Sequence, residues 1–249
     1  MSPRTPATLA GWRPVAARAA LATAITALVV PWVAAIITEP SGVLGLIGFD
    51  FRIYLDATAR WLEGGSFYLP HQLMGPYQIA NGDVLYPPQV IYLVAPFLVL
   101  PGLLWWAVPL AGTVAALRHV RPSLWRLAGL VLCLLPPIGL QEILKGNPVM
   151  WALMFEALAV AGLPTGPLVA IKTSLLPFAL VGVRRRGWWI VGGLSIVATL
   201  PLLGLMRDWL VAVTNSDGGP LYSIKDVPLM LVPLVAGVGR PRGQRAVGS

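Results

Sequence analysis

Residues 21–37 read LATAITALVVPWVAAII, a run without a single charged side chain. Arg13 and Arg18 stand before it and Glu39 after it. Extended back to Ala19, the run approaches the ~20 apolar residues that a helix needs to cross a bilayer. A first membrane helix is therefore expected over about 19–37. Arginines ahead of an apolar stretch also describe a secretory leader. Here the stretch is close to span length and no clear small-residue cleavage site follows it, so it reads as a retained helix.

The rest of the chain has the same character. Hydrophobic residues make up 57% of the 249 positions and charged residues 11%, against about 25% charged in a soluble domain. The 24 prolines and 26 glycines fit membrane helices, which tolerate both. The expected fold class is all-α: a polytopic membrane protein forming a single membrane domain over 1–249, with about seven to nine membrane segments.

The formal charge of +8 could point to nucleic acid, but its distribution excludes that reading. Twelve of the 18 basic residues lie in four acid-free groups: Arg4, Arg13 and Arg18; Arg118, Arg121 and Arg126; Arg184, Arg185 and Arg186; Arg240, Arg242 and Arg245. These groups flank apolar runs, as cytoplasmic loops do, whereas a nucleic-acid groove would interleave aromatics with the bases. The expected placement is the plasma membrane, multi-pass, with the N-terminus cytoplasmic and a basic cytoplasmic tail over about 240–249. Cys133 is the one cysteine, which excludes an internal disulfide and a cysteine metal cage.

Segment 38–86 then lies outside, with Glu39, Asp50, Asp56, Glu63 and Asp83 against Arg52 and Arg60. Further apolar runs occupy about 88–117, 127–144, 148–162, 167–183, 187–206 and 227–239, and a second external loop is expected over about 207–226. Arg126 and Arg184–Arg186 both read as inside, so the chain must cross an even number of times between them, yet three apolar runs lie there. The parity closes if 167–183 is a broken or re-entrant pair, interrupted by Lys172 and Pro177. A lysine at that depth should face a cavity or a partner. No internal repeat is found, which counts against a transporter.

The densest polar stretch is GFDFRIYLDATARWLEGGSFYLP, residues 48–70. Ile53, Ala57 and Trp61 recur at helical spacing, with Arg52, Asp56, Arg60 and Glu63 supplying polarity, so a short helix in the interface plane is expected. LYPPQV at 85–90 opens the next apolar run, with Tyr86 at the interface and Pro87-Pro88 at the helix start.

The order DFRIY, then WLEGGSFY, then LYPP resembles glycosyltransferase family 87, a GT-C family of polytopic mannosyltransferases that use polyprenyl-phosphate-mannose. LKGNPVMWALMFEALAVAG (144–162) resembles the family's Gly-Gln/Asn helix start, which brings in Asn147. VAIKTSLLPFALVGVRRRGWW (169–189) resembles its lysine-bearing segment and basic loop. The resemblance implies a GT-C-like helical bundle. It implies transfer of mannose or a similar hexose from a polyprenyl-phosphate donor to a glycolipid or glycan acceptor at the outer face, with Asp50 in the position of the catalytic aspartate.

Such a transfer needs a base for the acceptor hydroxyl and groups that hold the departing phosphate. Asp50 is the expected base, with Asp56 second. Lys172 is the expected phosphate partner, followed by Arg52 and Lys145, with Asn147 beside them. Tyr54, Tyr68 and Tyr86 could line a sugar site or form an aromatic belt. His71, Glu156, Asn215, Ser216 and Lys225 are lesser candidates. Asp50 and Asp56 could share a divalent ion, but no third ligand is evident, and no cofactor is expected. Other readings are a non-catalytic lipid-sugar-binding subunit that works with a protein partner, and a lipid or small-molecule transporter.

Overall fold

The computed structural model describes residues 9–38, 40–134, 137–219 and 227–237. Among them every regular element is helical, and strand pairing is limited to an isolated bridge between Tyr77 and Ser216. In chain order the α-helices are α1 (Leu9–Thr38), α2 (Pro40–Leu46), α3 (Phe49–Leu62), α4 (Pro70–Leu73), α5 (Val90–Val94), α6 (Leu104–Val120), α7 (Leu124–Leu134), α8 (Pro137–Lys145), α9 (Val149–Ala161), α10 (Arg186–Thr199), α11 (Leu203–Asn215) and α12 (Val227–Gly237). Arg4, Lys225, the tail 240–249 and the Cys133 side chain lie outside the described residues.

α1 is longer than the expected 19–37 and continues through Pro14 and Pro31. It packs against α7 yet leaves Val29, Val30, Val33 and Ile37 exposed. α10 buries no residue at all. It passes through a 3-10 turn at Leu200–Leu202 into α11. By length and composition, Pro14–Ala35 and Arg186–Asn215 are the two stretches among the described residues that could cross a membrane. Flanks of this kind, apolar and uncovered, suit hydrocarbon rather than water.

The remaining helices are shorter, for local reasons. The 88–117 run is cut into α5, a 3-10 turn at Ala95–Leu98 and α6, with Pro96, Pro101 and Gly102 at the breaks. α6 stops at Arg121, which adopts φ 51° just before Pro122, a residue that cannot continue the helix. The second external loop also differs from expectation: the helix runs on to Asn215, because Asp208 and Asn215 are spaced by apolar residues that keep the helical period.

α9 is the centre of the core, with six consecutive residues, Val149 to Met154, all buried. A helix apolar on all sides belongs in the interior, and α6, α12 and the 166–180 segment cover it. That segment is two 3-10 helices, Gly166–Ile171 and Thr173–Leu180, separated by extended backbone at Lys172 (φ −118°, ψ 97°). At ~2 Å per residue they rise about 12 and 16 Å, too little to cross a ~30 Å core. The backbone is interrupted at Lys172, where a break was expected.

The segment expected to form the first external loop is largely folded. α3 forms where a helix was expected, but its buried face is Phe51, Tyr54, Ala57 and Thr58, while Ile53 and Trp61 are only partly covered. The buried face packs toward α5 and α8. Beyond α4, the chain docks on the end of α11: the Tyr77 amide donates to Asn215 O (3.0 Å), the Asp217 amide to Tyr77 O (3.0 Å), and Asn215 Nδ2 to Gln72 O (3.1 Å). The two segments read as external loops are therefore packed on each other.

Candidate functional site

Two glycine turns bring the polar centre together. Gly48 (φ 71°) precedes α3 and donates its amide to Leu144 O at 2.9 Å. Gly146 (φ 72°) joins α8 to α9. A Cβ there would lie 2.7 Å from Trp106 Cζ2 and 2.9 Å from Phe51 Cβ, so both its space and its backbone demand glycine. Trp105 Nε1 donates to Gly146 O (2.7 Å) and Trp106 Nε1 to Ile143 O (2.8 Å). Phe51 stacks on Trp105 at 5.1 Å. This aromatic cluster holds the 143–147 turn against the first turn of α3.

Asn147 thereby meets Asp50. Its Nδ2 donates to Asp50 Oδ2 at 2.6 Å. Its Oδ1 accepts from the Tyr86 hydroxyl (2.5 Å) and from the Val149 amide (3.0 Å). Two donors on Oδ1 fix the amide orientation, so the NH₂ must face the carboxylate. Asp50 is half-buried in the first turn of α3, where the N-terminal amides favour a negative charge.

Tyr86 extends the chain of contacts inward. It is 1% exposed, its carbonyl accepts from Tyr68 OH (2.9 Å), and the Tyr54 ring meets it edge-on at 5.2 Å. Lys172 Nζ sits 4.9 Å from the centre of the Tyr86 ring, a cation–π contact, and the residue is 2% exposed. Asp50, Asn147, Tyr86 and Lys172, spread over 123 positions of the chain, thus form one connected line from a half-buried carboxylate to a buried ammonium.

The other expected site residues are placed differently. Asp56 is exposed; six residues on from Asp50, it stands about 9 Å farther along α3 and on another face. Arg52 is exposed and donates Nη1 to Ile47 O at 3.0 Å, which anchors the turn before α3. Lys145 Nζ lies 3.6 Å from Glu142 Oε1. Ser216 donates to Val213 O at 2.8 Å. Glu156 is fully buried in α9, with no hydrogen-bond partner for either oxygen. Among the described residues no group of three or more His, Cys, Asp or Glu is placed to hold a metal ion.

A second polar cluster was not foreseen. His71 Nε2 meets Asp83 Oδ1 at 2.7 Å, and the Ala80 amide donates to Asp83 Oδ2 at 2.8 Å. Gln72 accepts from the Leu69 amide (3.0 Å) and donates to Val84 O (3.1 Å) and to Tyr77 OH (3.0 Å). Tyr77 OH donates to Ala212 O at 3.0 Å. The cluster ties 69–84 to α11 and so holds the approach to Tyr86. Its sequence signal is the bunching of His71, Gln72, Tyr77 and Asp83 in an otherwise apolar chain. Its pairing was not visible, because it depends on a loop closing on itself.

No family model, no curated protein and no solved structure matches this chain.

Proposed function

We propose that the chain is a GT-C-like membrane transferase of about seven to nine membrane segments. It moves mannose or a similar hexose from a polyprenyl-phosphate donor to a glycolipid or glycan acceptor at the outer face of the plasma membrane. The observation that carries the reading is the line from Asp50 through Asn147 and Tyr86 to Lys172. It offers a base at one end and a cation for phosphate at the other, about where a lipid-borne sugar and an acceptor would meet. The ordered sequence resemblance over about 48–189 falls on the same four residues.

In this reading the acceptor hydroxyl oxygen attacks the anomeric carbon and its proton passes to Asp50. The bond from that carbon to the phosphate oxygen breaks, and the electron pair leaves with the lipid phosphate. Lys172 stabilises that charge, as a positioned cation does in a water-poor site. One base and one displacement imply inversion at the anomeric carbon. Asn147 orients the carboxylate and needs no proton transfer of its own. No step calls for a metal or an organic cofactor.

The test is sugar transfer by protein purified into lipid discs, with radiolabelled polyprenyl-phosphate-mannose and a membrane extract as acceptor. Wild type should transfer label, Asp56→Asn should retain transfer, and Asp50→Asn should lose it while melting normally. Full activity in Asp50→Asn would sink the assignment of the base. Donor binding without turnover in every variant would make the chain a lipid-sugar-binding subunit instead.

A further inference from the structure

Away from the Asp50 centre, a cavity of about 700 Å³ runs between α10 and the pair of 3-10 segments at 166–180. Its lining is almost wholly apolar: Phe155, Leu168, Ile171, Leu176, Leu180 and Ile196 contribute. Leu176, Leu180 and Ile196 are themselves 55–69% exposed, so the cavity opens sideways between Thr173–Leu180 and α10. Neither Lys172, Tyr86 nor Asp50 lines it.

The two ends differ. At one end, Gln89 Nε2 donates to Thr199 Oγ1 (3.1 Å) and Tyr92 OH to Ala198 O (2.8 Å). These bonds staple α10 to α5 at that end of the cavity. At the other end, both walls run straight into the turn that carries Arg184, Arg185 and Arg186: Leu180 precedes it and Trp188 follows it. Arg185 donates Nη1 to Ala159 O at 3.2 Å, capping α9. Arg184 and Arg186 are exposed and form no ion pair among the described residues.

We infer that this cavity holds an acyl chain of an anionic phospholipid whose headgroup sits on Arg184 and Arg186. The dimensions fit: Trp188 to Thr199, the α10 face of the cavity, covers about 16 Å of helix, the depth of one leaflet of a ~30 Å hydrocarbon core. The charge fits as well, since arginines beside a cytoplasmic leaflet attract anionic lipid. The site rests on the membrane placement of the chain, with this turn inside, and is independent of any chemistry at Asp50. A bound chain would fill the gap behind α10, which otherwise touches the core through few side chains.

The glycine pair on α10 supplies the test. A Cβ at Gly192 would point at Pro167 (3.7 Å) and Trp188 (3.8 Å), inside the cavity, whereas a Cβ at Gly193 meets nothing within 4 Å. Wild type, Gly192→Leu, Gly193→Leu, Arg184→Gln/Arg186→Gln and Asp50→Asn would be purified in mild detergent. Their retained lipids would be read by native mass spectrometry, and each would be titrated with phosphatidylglycerol and, separately, phosphatidylcholine. Phosphatidylglycerol should stay with wild type, Gly193→Leu and Asp50→Asn and be lost from Gly192→Leu. The arginine pair should bind it about thirtyfold more weakly. Equal retention of phosphatidylcholine, retention of a polyprenyl phosphate in its place, or no response to both the Gly192 and the arginine changes would overturn the inference. Because Asp50→Asn keeps the lipid while losing transfer, failure of the two proposals can be told apart.

Discussion

Asn147 donates to the Asp50 carboxylate at 2.6 Å while accepting from Tyr86, so one amide couples that carboxylate to the tyrosine beneath Lys172. Asn147→Ala would remove one hydrogen bond from the Tyr86 hydroxyl and one from the Asp50 carboxylate. Each lost bond costs about 0.5–1.5 kcal/mol, so a lower melting temperature is expected. A base displaced by about 1 Å can lose on the order of 100-fold in rate. Measured in the transfer assay, kcat should fall while donor KM stays near wild type. A rise in KM with kcat intact would place Asn147 in donor binding instead.

Gly146→Ala should do as much harm from outside the polar line. The added methyl would need the space of Trp106 Cζ2 at 2.7 Å and Phe51 Cβ at 2.9 Å, and φ 72° strains any residue with a Cβ. Overpacking and strain together predict a loss of about 2–5 kcal/mol. Gly193→Ala, with nothing within 4 Å, should be neutral or slightly stabilising. Thermal melts of the two variants side by side check this. Equal stability of Gly146→Ala and wild type would mean the turn is not held by the tryptophans.

Local residues announced some of this architecture and concealed the rest. Apolar composition and the arginine clusters pointed to helices in a membrane, and Lys172 marked the break that the structure shows between Gly166–Ile171 and Thr173–Leu180, whereas Pro177 lies inside the second of them. Asp50, Asn147, Tyr86 and Lys172 were all legible as candidates, but their contacts were not, since Asn147 lies 97 positions from Asp50 and 61 from Tyr86. Arg52 and Lys145 were ranked for phosphate by charge alone. In the structure each has a nearer partner, the Ile47 carbonyl for Arg52 and Glu142 for Lys145. The number of membrane segments was the hardest to read, because proline and glycine cut the apolar runs into pieces shorter than a span.

Lys172→Met keeps the length of the side chain and removes the charge. If Lys172 holds the departing phosphate, donor affinity should fall by about 10–150-fold, the worth of one charge-assisted hydrogen bond. Thermal stability should fall as well, since removing one charge from a buried polar cluster leaves the groups that face it, the Tyr86 ring among them, without that interaction. Titration with labelled donor in lipid discs measures the first, and a melt the second. Unchanged donor affinity with lowered stability would leave Lys172 as a structural partner of the Tyr86 ring.

Tyr77 predicts the alkaline limit of the cluster that ties 69–84 to α11. Burial raises its pKa above the ordinary 10.0; the Gln72 hydrogen bond works against this, and the nearby Asp83 and Asp217 carboxylates add to the rise. The folded state therefore keeps the proton that the unfolded chain gives up near pH 10. Stability from this group is intact below that pH and is lost as the pH climbs toward the raised value. Wild type should lose melting temperature more steeply than Tyr77→Phe between about pH 9 and 11. At neutral pH the variant should be less stable by about 0.5–1.5 kcal/mol, because the bonds to Ala212 O and Gln72 Nε2 are gone. Parallel alkaline slopes in the two proteins would show that another group sets the limit.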